Sequence, residues 1–191
     1  MVLQAFAAAV DGILASGQTL HTWASRVPGA RSLHGRGISY AVTLGGTPVV
    51  VRHSRHGGLL APVTRDLFLT PTRAPHELTV SVRLRANGVL TPEIIAYATY
   101  AVLPGLCRAD VVTREVLGTE LLSVEGAEQL LAMMSRAGAV HPDLNMRNVL
   151  VDGPNAYVLD VDRVYFLPPN DPRVTERNTA RLLRSARKLG R

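Results

Sequence analysis

The first part of the chain carries a helical and then a β-type pattern of apolar residues. Residues 2–16 place apolar side chains at helical spacing, which predicts a short amphipathic helix. Residues 36–54 form two apolar, β-branched runs on either side of Gly45-Gly46. Two such runs joined by a pair of glycines are typical of a β-hairpin.

Another helix and two further strands are predicted downstream. Residues 74–88 fit a helix that ends at Gly88, because glycine readily adopts the left-handed conformation found at helix ends. Its apolar positions are predicted to include Leu78, Val82 and Leu84. Residues 93–103 and 108–117 have the composition of strands. This part of the chain is therefore predicted to be a mostly antiparallel sheet with a packed helix.

The rest of the chain follows a different pattern. Residues 126–140 are predicted to be helical, with paired apolar positions one turn apart. Residues 148–166 contain two short strands around a turn at 152–155. Residues 175–190 form an amphipathic basic helix. We therefore expect a helical half that carries one hairpin.

Composition restricts the class of protein. The 191 residues are 47% hydrophobic and 19% charged, as in ordinary folded domains. No apolar run reaches the ~18 residues needed to span a bilayer. The N-terminal segment carries no Lys or Arg and includes Asp11, so we expect it not to be a signal peptide. Cys107 is the single cysteine, which excludes an internal disulfide and a cysteine-based zinc site. Its apolar surroundings predict a buried thiol.

The positive charge comes almost entirely from arginine. The net charge is +6, and Lys188 is the only lysine among 21 basic residues. Arginine binds phosphate and carboxylate through two parallel hydrogen bonds. Seven basic residues lie between Arg173 and Arg191, with one acid, Glu176. This concentration predicts an anionic partner such as a membrane lipid, a nucleic acid or a phosphorylated glycan.

A dense polar run between two apolar clusters carries the candidate chemistry. It reads "AVHPDLNMRNVLV", and it contains His141, Asp143 and, five residues further on, Asn148. Asp160 follows after the next predicted hairpin. Phosphoryl transfer needs a carboxylate to orient the attacking hydroxyl, and an amide oxygen and a second carboxylate to hold magnesium. Asp143 alone could be an Asx-turn, but the ordered set favours phosphoryl transfer.

These residues belong to a wider family resemblance. The chain resembles the bacterial lipopolysaccharide kinases, which are the Kdo kinases and core-heptose kinases of the protein-kinase-like superfamily. The similar segments run from about His34 to Leu189 in family order: "HGRGISYAV", "VVVRHSRHGGLL", "HELTVSVRLRANGV", "HPDLNMRNVLVD", "VLDVDR" and "RNTARLLRSARKL". The resemblance implies an α+β, two-lobe protein-kinase-like fold. Residues 1–117 would form the N-terminal helix and nucleotide-binding lobe with an antiparallel sheet. Residues 118–191 would form a small, truncated helical lobe with the catalytic residues and the basic helix.

The resemblance also assigns nucleotide-binding residues. Gly35, Arg36 and Gly37 correspond to the loop that covers the phosphates, although a plain hairpin turn is an alternative. Arg52 stands where kinases have a lysine, and it would contact the α- and β-phosphates and pair with Glu77. The alternatives are a surface arginine and a solvated glutamate.

The remaining assignments concern the catalytic loop. His141 is expected to position this loop by hydrogen bonding. Arg147 would neutralise a transferred or acceptor phosphate, or would simply be exposed. Val161 replaces the aromatic residue expected between the two acids Asp160 and Asp162. Asp162 would assist the metal or pair with the arginine that follows it.

The resemblance implies an ATP-dependent kinase that uses Mg²⁺. Its acceptor would be a sugar hydroxyl of a lipopolysaccharide precursor, either Kdo-lipid A or the inner core. We expect a cytoplasmic protein at the inner face of the inner membrane. Only about 30 residues follow Asp160, which leaves no room for a long activation segment and favours a glycan acceptor over a protein.

Other functions stay open at this point. One is a small atypical protein kinase, and another is a pseudokinase that binds nucleotide and acts as a scaffold. Arg52 and Val161 favour the pseudokinase, whereas the intact catalytic set opposes it: Asp143, Asn148 and Asp160. We expect no nucleic-acid partner, because few aromatic residues are available for base stacking.

The basic C-terminal helix has two compatible interpretations. Its arginines can contact anionic lipid headgroups or lipid A at a membrane surface. Alternatively, Leu182 and Leu183 pack on the helical lobe and the arginines are solvated. Packing one face of the helix leaves the other face available, so both interpretations are kept.

Overall fold

The structure is a computed structural model in which the chain forms two compact units. The residues that it describes are 1–35, 37–55, 66–70 and 72–190. Unit 1 comprises Met1–Pro75 and Glu93–Glu115, and unit 2 comprises His76–Pro92 and Val116–Arg191. The helical segment at residues 76–92 therefore groups with unit 2.

Unit 1 is built on an antiparallel sheet, six-stranded in the described residues. Its central strand, β6, pairs with β3, β4 and β5, and β1 and β2 continue the sheet beyond β3. The strands are β1 (Arg31–His34), β2 (Ile38–Leu44), β3 (Thr47–His53), β4 (Phe68–Leu69), β5 (Ile94–Leu103) and β6 (Leu106–Arg114). The predicted hairpin is confirmed, because β2 and β3 are joined by Gly45 and Gly46, which both have positive φ. Cys107 is a buried free thiol.

Two short helices pack with this sheet. The first, α1 (Ala7–Ala15), follows a 3₁₀ turn and lies within the predicted helix 2–16. The second, α2 (Leu20–Arg26), is absent from the sequence prediction, and its N-terminus is capped by Thr19, which accepts a hydrogen bond from Thr22 N. The apolar core of unit 1 includes Phe6, Leu20, Val49, Val51 and Ile95.

A buried polar network connects α2 to the sheet. The fully buried Asp110 accepts hydrogen bonds from His21 N (2.9 Å) and the Tyr100 hydroxyl (3.1 Å). Its other oxygen lies 2.6 Å from His53 Nδ1, while His53 Nε2 lies 2.9 Å from Asp66. The hydrogen bond to Asp110 is the largest cause that raises the pKa of His53. His53 therefore favours the doubly protonated imidazolium, which donates to both carboxylates.

Unit 2 contains three longer helices around short strands. The helices are α3 (Ala74–Ala86), α4 (Glu128–Ala137) and α5 (Pro172–Lys188). The strands are β7 (Thr119–Glu120), β8 (Ala139–Val140), β9 (Val149–Asp152), β10 (Asn155–Val158) and β11 (Tyr165–Phe166). In the described residues β10, β9 and β7 form one sheet, and β11 pairs with β8. The core beneath them includes Leu84, Leu121, Leu130, Met134, Leu144, Met146 and Leu182.

The helix α3 is confirmed, but one of the apolar residues predicted to pack on it does not do so. Val82 is 58% exposed, whereas Val80 and Leu84 are buried. Two polar residues, Glu77 and Ser81, are buried on the same helix. The alternation of polar and apolar residues along α3 therefore does not report its packed face.

The end of α4 directs the chain into β8. Gly138 has φ +69°, a conformation that costs other residues free energy. A Cβ at this position would lie 2.1 Å from the carbonyl oxygen of Leu167, whose N–H donates to the Gly138 carbonyl at 2.8 Å. Glycine is required here by both conformation and space.

The last helix, α5, begins three residues earlier than predicted, because Asp171 caps it and Pro172 occupies its first turn. Its packed face repeats every four residues: Val174, Asn178, Leu182 and Ala186. Leu182 is buried, as the packing interpretation requires, whereas Leu183 is 42% exposed and departs from it. No helix in the described part of the chain is long and apolar enough to cross a membrane.

Candidate active site

The loop between β8 and β9 is folded by its own asparagine. Asn145 Oδ1 accepts hydrogen bonds from the N–H groups of Arg147 (3.0 Å) and Asn148 (3.1 Å), which starts the 3₁₀ turn Met146–Asn148. Asn145 Nδ2 donates to the Asp143 carbonyl at 2.9 Å. The sequence pattern predicts no role for Asn145, although asparagine is among the residues preferred as helix N-caps.

His141 connects this loop to the strand that leads into Asp160. The side chain is completely buried, and its Nε2 lies 3.0 Å from the Leu159 carbonyl oxygen. Its Nδ1 accepts a hydrogen bond from Asp143 N at 3.2 Å. Burial lowers the pKa of His141, so the ring is neutral, with the proton on Nε2. A neutral ring satisfies both contacts at once.

Asn178 on α5 supports His141 from the other side. This side chain is buried, its Oδ1 accepts from His141 N at 3.0 Å, and its Nδ2 donates to the Ala139 carbonyl at 2.8 Å. Ser185, two turns further along α5, accepts a hydrogen bond from Met146 N at 3.1 Å. Neither residue is predicted from the sequence to belong to the site. A lone Asn on the apolar face of an otherwise basic helix is the signal that could have found the first.

Asn148 and Asp160 are brought together by the β9–β10 hairpin. The N–H of Leu159 donates to the Asn148 carbonyl at 2.8 Å, which fixes the residue before Asp160 beside the loop. Asn148 Nδ2 donates to the Asp143 carbonyl at 3.2 Å, and its Oδ1 is therefore the side-chain atom suited to a cation. Asp160 is exposed and has φ +53°, an uncommon conformation for a residue other than glycine.

The Asp143 carboxylate contacts two arginines. Arg163 Nη1 lies 2.6 Å from Oδ2, and Arg181 Nη2 lies 3.4 Å from Oδ1. The sequence predicts neither contact, and the pairing of Asp162 with Arg163 stays a prediction. Arg147 is exposed on the same loop. Asp143 remains partly exposed, with 29% of its side chain accessible.

The residues proposed to bind nucleotide lie elsewhere in the chain. Gly35 and Gly37 occupy the β1–β2 turn, where Gly35 N donates to the Gly37 carbonyl at 3.1 Å, and Arg36 between them lies outside the described residues. Arg52 is half-buried in β3 of unit 1, and Glu77 is buried in α3 of unit 2. The pairing of Arg52 with Glu77 stays a prediction.

The described residues contain no group of three or more His, Cys, Asp or Glu that could hold a metal ion. The metal ligands predicted from the sequence are one amide oxygen and one carboxylate, Asn148 and Asp160. Both are hard oxygen donors, which suit Mg²⁺ and suit softer transition metals less well. Magnesium commonly binds through one or two protein groups and completes its shell with water and substrate phosphates.

Comparison with known proteins gives the family. Residues 20–190 match the profile of the Lipopolysaccharide kinase (Kdo/WaaP) family. The chain belongs to this family. The resemblance stated from the motifs is confirmed, and this lipopolysaccharide kinase family member is a phosphotransferase that acts on a lipopolysaccharide sugar.

Curated relatives of the kinase agree with this assignment. A 3-deoxy-D-manno-octulosonic acid kinase from Vibrio vulnificus (strain YJ016) is 30% identical over 186 residues, which covers 87% of this chain and 76% of that protein. The protein of the same name from Stenotrophomonas maltophilia (strain K279a) is 34% identical over 173 residues, with coverages of 81% and 68%.

Solved structures confirm the fold class. WaaP in complex with acyl carrier protein superimposes with a TM-score of 0.56 at 19% identity, covering 91% of this chain and 77% of that one. The amicoumacin kinase hAmiN in complex with AMP-PNP, Ca²⁺ and Ami gives a TM-score of 0.63 at 10% identity, with coverages of 84% and 65%. This kinase therefore has the expected α+β, protein-kinase-like fold.

Proposed function

We propose that this kinase transfers the γ-phosphoryl group of ATP to a sugar hydroxyl of Kdo or the adjoining inner core of lipopolysaccharide. The observation that supports this proposal is the hydrogen-bonded loop in which Asp143 and Asn148 lie beside the strand end that leads into Asp160. The acceptor sugar is inferred from the relatives, which are named 3-deoxy-D-manno-octulosonic acid kinases.

Asp143 is the base in the proposed reaction. Its partly exposed carboxylate accepts a hydrogen bond from the acceptor hydroxyl and then receives its proton. The hydroxyl oxygen forms a bond to the γ-phosphorus, while the bond from that phosphorus to the bridging oxygen of the β-phosphate breaks. ADP and the phosphorylated sugar are the products. Holding the two reactants in line supplies most of the catalysis, because phosphoryl transfer is dominated by positioning and electrostatics.

Asn148 and Asp160 are the proposed ligands of Mg²⁺. Their oxygen atoms suit this ion, and the hydrogen bond from Asn148 Nδ2 to the Asp143 carbonyl keeps the amide oxygen available. Bound Mg²⁺ neutralises negative charge on the nucleotide phosphates. Because that same bond joins Asn148 to Asp143, displacement of either residue would disturb both the base and the metal ligand.

His141 and Arg147 have different roles in the proposal. His141 is neutral and buried between the loop and Leu159, so it positions Asp143 and does not transfer protons itself. Arg147 is exposed on the loop and can neutralise a transferred or acceptor phosphate. Nothing in this scheme requires a second base beside Asp143.

The proposed nucleotide-binding residues are Gly35, Arg36, Gly37 and Arg52 of unit 1 and Glu77 of unit 2. Gly35 and Gly37 have no side chains of their own to keep a phosphate from the backbone of the β1–β2 turn, and Arg36 lies between them in the sequence. Arg52 replaces the usual lysine as the cation for the phosphates, and Glu77 is its proposed partner. Arginine remains charged at all physiological pH values, so the substitution preserves the positive charge that phosphate binding needs.

The exposed side of α5 is proposed to contact the anionic surface of the inner membrane from the cytoplasm. Its packed face binds the core, and the opposite face carries Leu183 together with exposed basic residues, namely Arg184, Arg187 and Lys188. An exposed leucine among basic residues suits the boundary between lipid headgroups and acyl chains. A surface of this kind would keep the enzyme near a lipid-linked acceptor.

A transfer assay tests the proposal. The purified protein is incubated with labelled ATP, Mg²⁺ and Kdo-lipid A, and label is expected in the glycolipid. Asp143→Asn keeps the shape of the side chain but removes the base, so kcat is expected to fall by about 10²- to 10⁴-fold. Asp152→Asn changes an exposed acid at the end of β9 and is the matched control, with wild-type activity expected.

Other outcomes of the same assay contradict the proposal. Label in an added protein but not in the glycolipid would support an atypical protein kinase. Nucleotide binding without transfer to any acceptor would support a pseudokinase. Wild-type transfer by Asp143→Asn would refute the role of Asp143 while leaving the glycolipid acceptor in place.

A further inference from the structure

Two arginines from different elements converge on the proposed base. Arg163 ends the 3₁₀ turn Val161–Arg163, and its Nη1 lies 2.6 Å from Asp143 Oδ2. Arg181 lies on α5, and its Nη2 lies 3.4 Å from Asp143 Oδ1. Each carboxylate oxygen thus already faces a guanidinium group, at the place where the acceptor hydroxyl must bind.

Arg181 is the less firmly held of the two. Charge-assisted hydrogen bonds between nitrogen and oxygen are normally about 2.7–2.9 Å long, and the contact of Arg181 with Asp143 is 3.4 Å. Its Nε is buried and has no hydrogen-bond partner in the described part of the chain. Nε and Nη2 form one edge of the guanidinium group, the edge that can hold both oxygens of a carboxylate or phosphate. One donor of this edge is unused and the other is weakly bound.

We propose that Arg181, with Arg163 beside it, binds an anionic group of the acceptor next to the reacting hydroxyl. This inference rests on the proposed function. The acceptor anion draws Arg181 away from Asp143 Oδ1, and that oxygen then accepts the hydrogen bond from the hydroxyl. Arg163, with its shorter contact, stays on Oδ2 and keeps the carboxylate oriented. An acidic sugar therefore makes the base available, whereas a neutral sugar leaves both oxygens paired.

The chemistry of the ligand is that of a small oxyanion attached close to the acceptor hydroxyl. A sugar carboxylate fits this description, since the curated relatives are named for an octulosonic acid. A phosphate on the neighbouring sugar has the same hydrogen-bonding chemistry. Both groups present paired oxygens to the edge of a guanidinium group, and a sugar hydroxyl does not.

The test compares enzyme variants with acceptors of different charge. The acceptors are Kdo-lipid A, its Kdo methyl ester, and Kdo-lipid A without the lipid A phosphates. The variants are Arg181→Gln, Arg181→Lys and the control Arg136→Gln, which alters an exposed arginine on α4. We expect wild type to lose about 10- to 100-fold in kcat/KM with one of the two neutralised acceptors, as for a lost charge-assisted hydrogen bond.

The decisive quantity is this preference for the charged acceptor. Arg181→Gln is expected to reduce it to within about 3-fold, mainly through a higher acceptor KM. Arg181→Lys should restore part of it, because it keeps the charge but not the two-donor edge. If Arg181→Gln loses the preference for the Kdo acid over its methyl ester, the ligand is the carboxylate. If it loses the preference for the acceptor that carries the lipid A phosphates, the ligand is a phosphate. A preference that persists in Arg181→Gln, or is absent from wild type, overturns the inference.

A binding measurement separates this inference from the proposed function. Free 3-deoxy-D-manno-octulosonic acid is titrated into wild type, Arg181→Gln and Arg136→Gln, and bound sugar is detected by saturation-transfer NMR. Binding that needs Arg181, without phosphoryl transfer, would overturn the proposed function and retain Arg181 as the residue that binds the acidic sugar. If Arg181→Gln transfers phosphate to the glycolipid with the same preference for charged acceptors as wild type, the proposed function stands and the inference is overturned. Thermal unfolding of each variant identifies any loss that comes from misfolding.

Discussion

Asn178 is the point at which a change in α5 should affect both stability and catalysis. Asn178→Leu keeps a side chain of similar size but removes the bonds to His141 N (3.0 Å) and the Ala139 carbonyl (2.8 Å). Both backbone groups belong to fully buried residues, so water does not replace the lost partner. Each orphaned group costs about 1–3 kcal/mol, which gives a total loss of about 2–6 kcal/mol. That is a large fraction of the stability of a typical domain.

Urea unfolding of wild type and Asn178→Leu measures this loss directly. Thr175→Ala, at an exposed position on the same helix, is the control and should change the free energy of unfolding by less than about 0.5 kcal/mol. The folded fraction of Asn178→Leu should also show a reduced kcat, since His141 would no longer be held beside Asp143. A loss of stability below about 1 kcal/mol with normal kcat would refute this account of how the catalytic loop is supported.

Gly138→Ala should destabilise the protein by several kcal/mol in urea unfolding, because its Cβ would meet the Leu167 carbonyl oxygen at 2.1 Å. Gly153→Ala is the matched control, as Gly153 also has positive φ but nothing within 4 Å, and it should cost only about 1–2 kcal/mol. The pKa of His53 is raised in the folded protein. Its contribution to the free energy of unfolding is therefore complete below its unfolded pKa near 6.5, and it is lost as pH rises through its folded pKa. His53→Gln should therefore flatten the fall in stability above that pH, and an unchanged pH profile would contradict the ion-pair network. The exposed face of α5 carries three basic residues, Arg184, Arg187 and Lys188. Replacing each with Gln should weaken binding to anionic vesicles by about 1 kcal/mol per residue in a sedimentation assay at low salt. Binding to neutral vesicles should not change. Equal binding to both kinds of vesicle would exclude the membrane contact.

Local patterns in the sequence were sufficient for much of the fold. The β2–β3 hairpin could be predicted because β-branched runs flank two glycines, and a turn at Gly45-Gly46 depends only on neighbouring residues. Helix α2 was missed because Leu20–Arg26 is too short to show a helical repeat. The packed face of α3 was assigned wrongly at Val82, because tertiary contacts bury Glu77 and Ser81 in its place.

In the candidate site, too, contacts between residues close in sequence could be predicted, and contacts between distant residues could not. The loop residues, Asp143 and Asn148, are close in sequence, so their spacing alone predicts their proximity. Arg181 and Asn178 contact the loop region from α5. Arg181 lies 38 residues from Asp143, and Asn178 lies 37 residues from His141. No local spacing encodes a contact at that separation. Arg163 was considered only as a partner of Asp162. Its pairing with Asp143 depends on the turn that follows Asp160.

The dependence of the catalytic loop on α5 also sets the order of events during synthesis. The ribosome completes His141 before it adds Asn178, which lies 37 residues later. At about 5–20 residues per second, roughly 2–7 s pass before the loop receives its support. Until α5 is made, a nascent chain that contains Asp143 and Asn148 lacks the hydrogen bonds of Asn178 to His141 N and the Ala139 carbonyl. The catalytic loop therefore gains its full set of hydrogen bonds only after α5 has been synthesised and has packed.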